Sequence, residues 1–168
     1  MPKFLFYWIL FFVILHSPMR AEVIYLDREI DKLNIAKKID YLSLPLTDST
    51  LMHALSPTNN WKKNDWNTIH FPDEKNPMWF RFTLKNIDST PYTYYLLFSS
   101  PVIDRFEIYF LHNDQWISQQ TGDQIIQKNR ALFSHIPAFP IILNTNESRT
   151  IYVKIKSENQ LFFFYLHL

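Results

Sequence analysis

The sequence predicts an all-β fold, an antiparallel sandwich of short strands, and three observations carry that reading. Apolar and polar residues alternate with period 2 through most of the chain after residue 22. Clusters of Asn, Asp, Ser, Thr and Pro punctuate these runs at hairpin length, at 86–91, 112–114 and 144–148. Helical signal is confined to 47–56, where Thr47-Asp48-Ser49 reads as a cap for a turn or two through Leu51 to Leu55. Many short strands joined by short connections argue for a sandwich rather than a layered α/β fold.

The first segment reads as an address. Residues 1–21 open with Lys3, continue through an unbroken apolar run at 4–15, and reach a small residue at Ala21. That pattern predicts a secretory signal peptide cleaved after Ala21, with an uncleaved anchor as the alternative. The run is short for a membrane span, which needs roughly 20 apolar residues. The remainder, 22–168, reads as a single β-sandwich domain, and export without any cysteine favours the bacterial periplasm.

The strands follow in order. Residues 23–26 make a short first strand. The run 78–87 sets Phe80, Phe82 and Leu84 on one face against Trp79, Arg81, Thr83 and Lys85 on the other. Residues 92–99 are nearly all aromatic or aliphatic, which predicts deep burial. Within 102–111, Val102, Phe106, Ile108 and Phe110 oppose Arg105, Glu107 and Tyr109. Runs at 115–120, 133–143, 149–156 and 161–168 complete the set. Pro101, Pro137 and Pro140 belong at strand starts, edges or bulges, since proline donates no ladder hydrogen bond. The apolar tail is expected to pair inside a sheet, because an unpaired edge of that kind aggregates.

Composition excludes much chemistry. With no cysteine, disulfide scaffolds, thiolate nucleophiles and cysteine-ligated zinc are out. The single glycine, Gly122, removes glycine-rich phosphate loops and dinucleotide fingerprints. A net charge of +1 gives no electrostatic case for nucleic acid. There is no Gly-x-Ser-x-Gly elbow, and the carboxylates Asp104, Glu107 and Asp123 are scattered among basic neighbours. Of the six histidines, His16 leaves with the leader, and no two of His53, His70, His112, His135 and His167 stand at metal-binding spacing. The nearest cluster, His70 with Asp73 and Glu74, reads as a solvated loop. The chain is therefore expected to be non-enzymatic, with no cofactor, metal or catalytic residue.

Aromatic residues make up 17% of the chain, and five of them are tryptophan, more than an aliphatic core needs. Rigid amphipathic rings at a surface suit stacking on sugars and other planar or apolar ligands. Trp79 shares a face with Arg81, and Arg105 shares one with Tyr109. If both faces lie on one side of one sheet, Trp79, Arg81, Arg105 and Tyr109 form an aromatic and cationic platform for a small-molecule ligand. The plainer alternative is that these groups pair across strands and only cover the sheet.

The order of several segments also resembles a known sensor family. They are Glu22-Val-Ile-Tyr-Leu-Asp27, then Tyr41-Leu-Ser-Leu-Pro-Leu-Thr-Asp48, then Pro77-Met-Trp-Phe-Arg-Phe-Thr-Leu-Lys-Asn86 with its Trp-x-Arg strand and closing Asn. Pro101-Val-Ile-Asp-Arg-Phe-Glu-Ile-Tyr-Phe110, Thr121-Gly122-Asp123, Arg130 and Phe139-Pro140 follow. Together they resemble the periplasmic N-terminal sensor domain, extracellular type 2, of bacterial seven-transmembrane receptors with diverse intracellular signalling modules. The resemblance implies a jelly-roll sandwich similar to carbohydrate-binding modules, and a periplasmic ligand-sensing role in which carbohydrate is the suggested ligand class. The matched positions are Trp79, Arg81, Asn86, Asp104, Tyr109, Gly122, Asp123 and Arg130. Gly122 suits a turn needing positive φ, and Arg130 is expected to brace a loop through carboxylates. Family members continue into seven membrane helices and an output domain, whereas this chain ends at Leu168. A truncated receptor, a split gene and a free-standing domain are the alternatives, with a membrane receptor subunit as a further partner. A periplasmic protein–protein interaction module is the rival function.

Overall fold

The computed structural model describes residues 21–29, 31–70, 76–99, 103–132, 134, 136–156, 161–162 and 164–167. Residues 1–20 of the expected leader, with Asp73, Glu74, Pro101 and Val102, lie outside the described residues.

Strand β6 (Met78–Asn86) is the axis of the fold. Its alternate residues Met78, Phe80, Phe82 and Leu84 are all buried on one face, as period 2 requires. Along one side it pairs antiparallel with β11 (Ser148–Lys156), which pairs with β8 (Arg105–His112), which pairs with β9 (Gln115–Thr121). Its other side is shared by two short strands. β3 (Asp40–Ser43) pairs antiparallel at 78–81 and carries β4 (Lys62–Lys63) beyond it. β1 (Val23–Leu26) pairs parallel at 83–86. This one parallel pair departs from a purely antiparallel sheet. The connection from β1 to β6 is the whole 27–77 segment, far longer than a hairpin, so no tight turn imposes opposite directions.

The second sheet has the order β10 (Ala138–Leu143), β7 (Tyr92–Phe98), β13 (Phe164–His167) and β2 (Lys32–Asn34). A separate pair joins β5 (Ile69–His70) to β12 (Leu161–Phe162). The two larger sheets face each other across one core. Phe106 of β8 meets Phe98 of β7 at 5.0 Å and Phe139 of β10 edge-on at 4.7 Å. Ile108, Ile151, Val153 and Ile155 extend that layer, facing Leu96, Ile141, Leu143 and Leu166. Fully burying each such side chain contributes about 1.5–3 kcal/mol.

Turn chemistry sets the hairpins. In the β8–β9 turn, Asn113 and Asp114 both adopt positive φ, at 48° and 60°, the conformation that matches a two-residue connection to strand twist. The β6–β7 turn is held by Asn86, which is fully buried. Its Nδ2 donates to the carbonyls of Thr90, Leu143 and Asn144, and its Oδ1 accepts from the Asp88 N–H and the Tyr94 hydroxyl.

Several sequence expectations shift. The 102–111 strand begins at Arg105 and runs to His112, and the 133–143 strand begins only at Ala138, after Pro137. The apolar tail divides between β12 and β13 and pairs in two different sheets. The 47–56 segment gives a 3-10 turn at Leu46–Asp48 and one helical turn, α1 (Leu51–Ala54). Its cap is Thr50, whose side chain accepts from the His53 N–H, rather than Thr47, Asp48 or Ser49. Among the described residues, no helix is long and apolar enough to cross a membrane.

Candidate functional site

The outer face of the seven-stranded sheet collects the polar and aromatic residues that alternate away from the core. Register aligns Trp79, Lys154, Glu107 and Gln120 in one cross-strand row. The adjoining row holds Arg81, Tyr152, Tyr109 and Ser118. Trp79, Arg81, Arg105 and Tyr109 therefore do lie on one side of one sheet, with β11 between their two strands. Tyr109 stacks on Trp79 at a ring separation of 5.5 Å.

The segment from β3 to β4 covers half of that face, and this corrects the expected platform. Trp79 has 0% exposure and packs beside Ala54 of α1, Trp61, Leu42 and Leu44. Its Nε1 donates to the Ser49 hydroxyl at 2.9 Å, which satisfies the indole N–H in the buried site. It is a core residue of a second hydrophobic cluster and offers no ring to a ligand. Arg81 is also claimed: its Nε donates to Asp40 Oδ2 at 3.0 Å, and its guanidinium lies 4.5 Å over the Trp61 ring. Alternation alone left this face open because the 36–64 segment carried little strand signal of its own.

Arg105 and Tyr109 remain at the uncovered end, joined through a carboxylate between them in sequence. Arg105 Nε donates to Glu107 Oε1 at 2.6 Å, and the Tyr109 hydroxyl donates to Glu107 Oε2 at 3.0 Å. Burial, then the negative charge of Glu107 and the bond to it, push the Tyr109 hydroxyl well above its ordinary range. Tyr109 is therefore a fixed, protonated donor at every physiological pH.

This three-residue network is the partition between two clefts, each of about 490 Å³. One cleft is closed on its far side by the 46–51 segment, Gln124, Lys154 and Lys156. The other is closed by Ser118, Gln119, Gln120 and Asn129. Gln119 stands opposite the core residue Ile108, and its buried Oε1 has no hydrogen-bond partner among the described residues. Further along the same face Trp116 stands opposite Leu111, 41% exposed, and meets Tyr152 edge-on at 5.9 Å. It is the exposed tryptophan of this face that the sequence reading did not single out. The Asn113-Asp114 turn held the needed signal, since a two-residue connection sets Trp116 across from Leu111 and hence on the Tyr109 face.

The remaining motif positions serve the architecture. Gly122 has φ +127°, and a side chain there would meet the Asp104 and Ile103 carbonyls at 2.6 and 2.9 Å. The turn it makes lets the Asp123 and Gln124 N–H groups donate to those same two carbonyls, which brings Gln124 into the cleft. Arg130 braces its loop through the Ile125 carbonyl at 3.0 Å, a backbone acceptor in place of the expected carboxylates.

Residues 37–166 match the family model described as 7TMR-DISM extracellular 2. The chain belongs to that family. A 7TMR-DISM extracellular domain is the N-terminal sensor part of seven-transmembrane receptors, and a periplasmic or extracellular location follows from membership. No curated protein matches the chain. Within this 7TMR-DISM domain the Trp-x-Arg strand and its closing Asn86 are buried structural elements, and the open part of the face lies around β8 and β9.

Proposed function

We propose that this 7TMR-DISM domain is a non-enzymatic sensor, exported by its 1–21 leader, that binds a small ligand at the Arg105–Glu107–Tyr109 partition. The observation that carries the reading is the partition itself. It holds two donors and a carboxylate in fixed geometry between two open clefts, while the buried half of the same face anchors it. Preformed concavities with a few oriented polar groups are the usual form of a small-molecule site. Saccharide is the ligand class favoured by the chemistry: planar Arg, Glu and Gln side chains match vicinal hydroxyls, and the exposed Trp116 ring supplies a stacking surface on the same face.

The test is a thermal-shift screen of the chain against saccharides, amino acids and organic acids, repeated with Tyr109→Phe and Arg105→Ala. A ligand that binds only the native state raises the melting temperature saturably. A shift that shrinks in both variants supports the site. A flat response from a cooperatively melting protein overturns it and moves weight to a protein-interaction module, whose candidate surface is the exposed Tyr95 and Ile142 on the outer face of the second sheet.

A further inference from the structure

Within that proposed site, the cleft beside β11 has an unbalanced charge. Lys156 stands directly opposite Arg105 in the β8–β11 pair, and Lys154 stands opposite Glu107. Like charges at directly opposed positions of an antiparallel pair destabilise it. Among the described residues the only carboxylate lining the cleft, Glu107, is already engaged on both oxygens by Arg105 and Tyr109. Lys154 is half-buried and donates to the Ser49 carbonyl at 2.6 Å, a neutral acceptor. Neither lysine has a carboxylate within ion-pair distance among the described residues. Among the described residues, Arg105 and Glu107 balance each other, so Lys154 and Lys156 leave two unbalanced cations on one concavity, and low-dielectric walls strengthen the field they make there.

We infer that this cleft takes a ligand bearing a carboxylate, with Lys156 and Lys154 as the groups that recognise the anion and Arg105 completing the cradle. The inference rests on the small-ligand reading above and adds the charge class and the subsite. The carboxylate supplies the counter-charge for Lys156 and Lys154 that Glu107, paired with Arg105, does not, and Gln124 and Tyr109 are left to contact its neutral part.

The experiment compares matched probes on the full chain by calorimetry and thermal shift: D-glucuronate and D-galacturonate against D-glucose and D-galactose, with succinate as a non-sugar acid. The expected result is binding by an acid and at least tenfold weaker binding by its neutral counterpart. That affinity should fall with rising salt, as an exposed charge interaction does. Lys156→Glu is the discriminating variant, because its side chain is exposed and the change reverses the charge facing Arg105. It should lose acid binding by at least tenfold while melting at or above the parent temperature. Binding by succinate alone supports the carboxylate subsite and removes the sugar. Equal binding of neutral and acidic sugars that is lost in Tyr109→Phe overturns the charge inference and leaves the site standing. Acid binding indifferent to Lys156→Glu overturns the subsite. No binding by any probe overturns both readings.

Discussion

Trp79 and Tyr109 are stacked at 5.5 Å although β11 runs between their strands. The two rings lean together over Lys154, whose ammonium lies 5.7 Å from the Trp79 ring. Tyr109 therefore belongs to both halves of the face: its ring is part of the buried cluster, and its hydroxyl is part of the open partition. A site residue resting on a core residue predicts that damage to the core partner reads out as stability. Trp79→Ala should lose about 3–5 kcal/mol, the range for deleting a large buried aromatic, in a urea titration. Trp79→Phe keeps most of the volume, so it should fold and retain ligand affinity. A Trp79→Phe protein of normal stability that has lost binding would return Trp79 to the site.

Gly122 gives a second prediction. Its φ of +127° is open to glycine and strained for any other residue, and the added Cβ would press on two backbone carbonyls that cannot swing away. Gly122→Ala should cost at least about 2 kcal/mol of stability by chemical denaturation. Because the turn delivers Gln124 to the cleft, affinity should drop with it. A neutral effect would show that the 121–125 turn has another route to the same hydrogen bonds.

Acid should loosen one end of the sandwich first. Two carboxylates are held below their ordinary range at the touching β6–β7 and β10–β11 turns. Arg28 donates to both oxygens of Asp88, at 2.7 and 3.0 Å, and lowers it. Burial alone would raise Glu147, but bonds from the Asn144 N–H and the Arg149 guanidinium outweigh it and the net shift is downward. A depressed folded-state value contributes stability that is fully present above the unfolded value and lost as pH falls through the folded one. The melting temperature should be level from neutrality to about pH 5 and drop below about pH 4. The double variant Asp88→Asn, Glu147→Gln should melt lower at pH 7 and show a shallower acid slope.

The core strands were legible because each carries its period-2 signal in its own residues: Phe80, Phe82 and Leu84, or Phe106, Ile108 and Phe110, need no neighbour to announce the buried face. What escaped is what depends on distant chain. Strands of two to four residues such as β2, β3 and β4 are too short and too polar to show alternation, and they are recruited by the long strands they border. The fate of Trp79 followed from that gap. Its face reads as half-polar in sequence and is buried only because 36–64 folds over it. The Arg105–Glu107–Tyr109 network was half visible. The three residues alternate onto one face of one strand, but that both donors would converge on Glu107 depends on side-chain geometry that spacing does not encode.

The Arg81–Asp40 pair pins that covering segment to the sheet, and it provides the sharpest test of the covering's importance. The two side chains are 12% and 6% exposed, and the guanidinium also lies over Trp61, so the pair is largely out of water. Removing one partner of such a pair leaves an uncompensated charge, which costs about 3–5 kcal/mol, whereas replacing both by apolar residues of similar volume is often neutral. Asp40→Ala should therefore be strongly destabilising in urea. Asp40→Leu combined with Arg81→Met should recover most of the loss. The double variant should also keep the Tyr109 partition intact and bind as the parent does, since neither residue lines the two clefts that share it. If stability is recovered while binding is lost, Arg81 reaches the ligand after all, and the buried half of the face is part of the site.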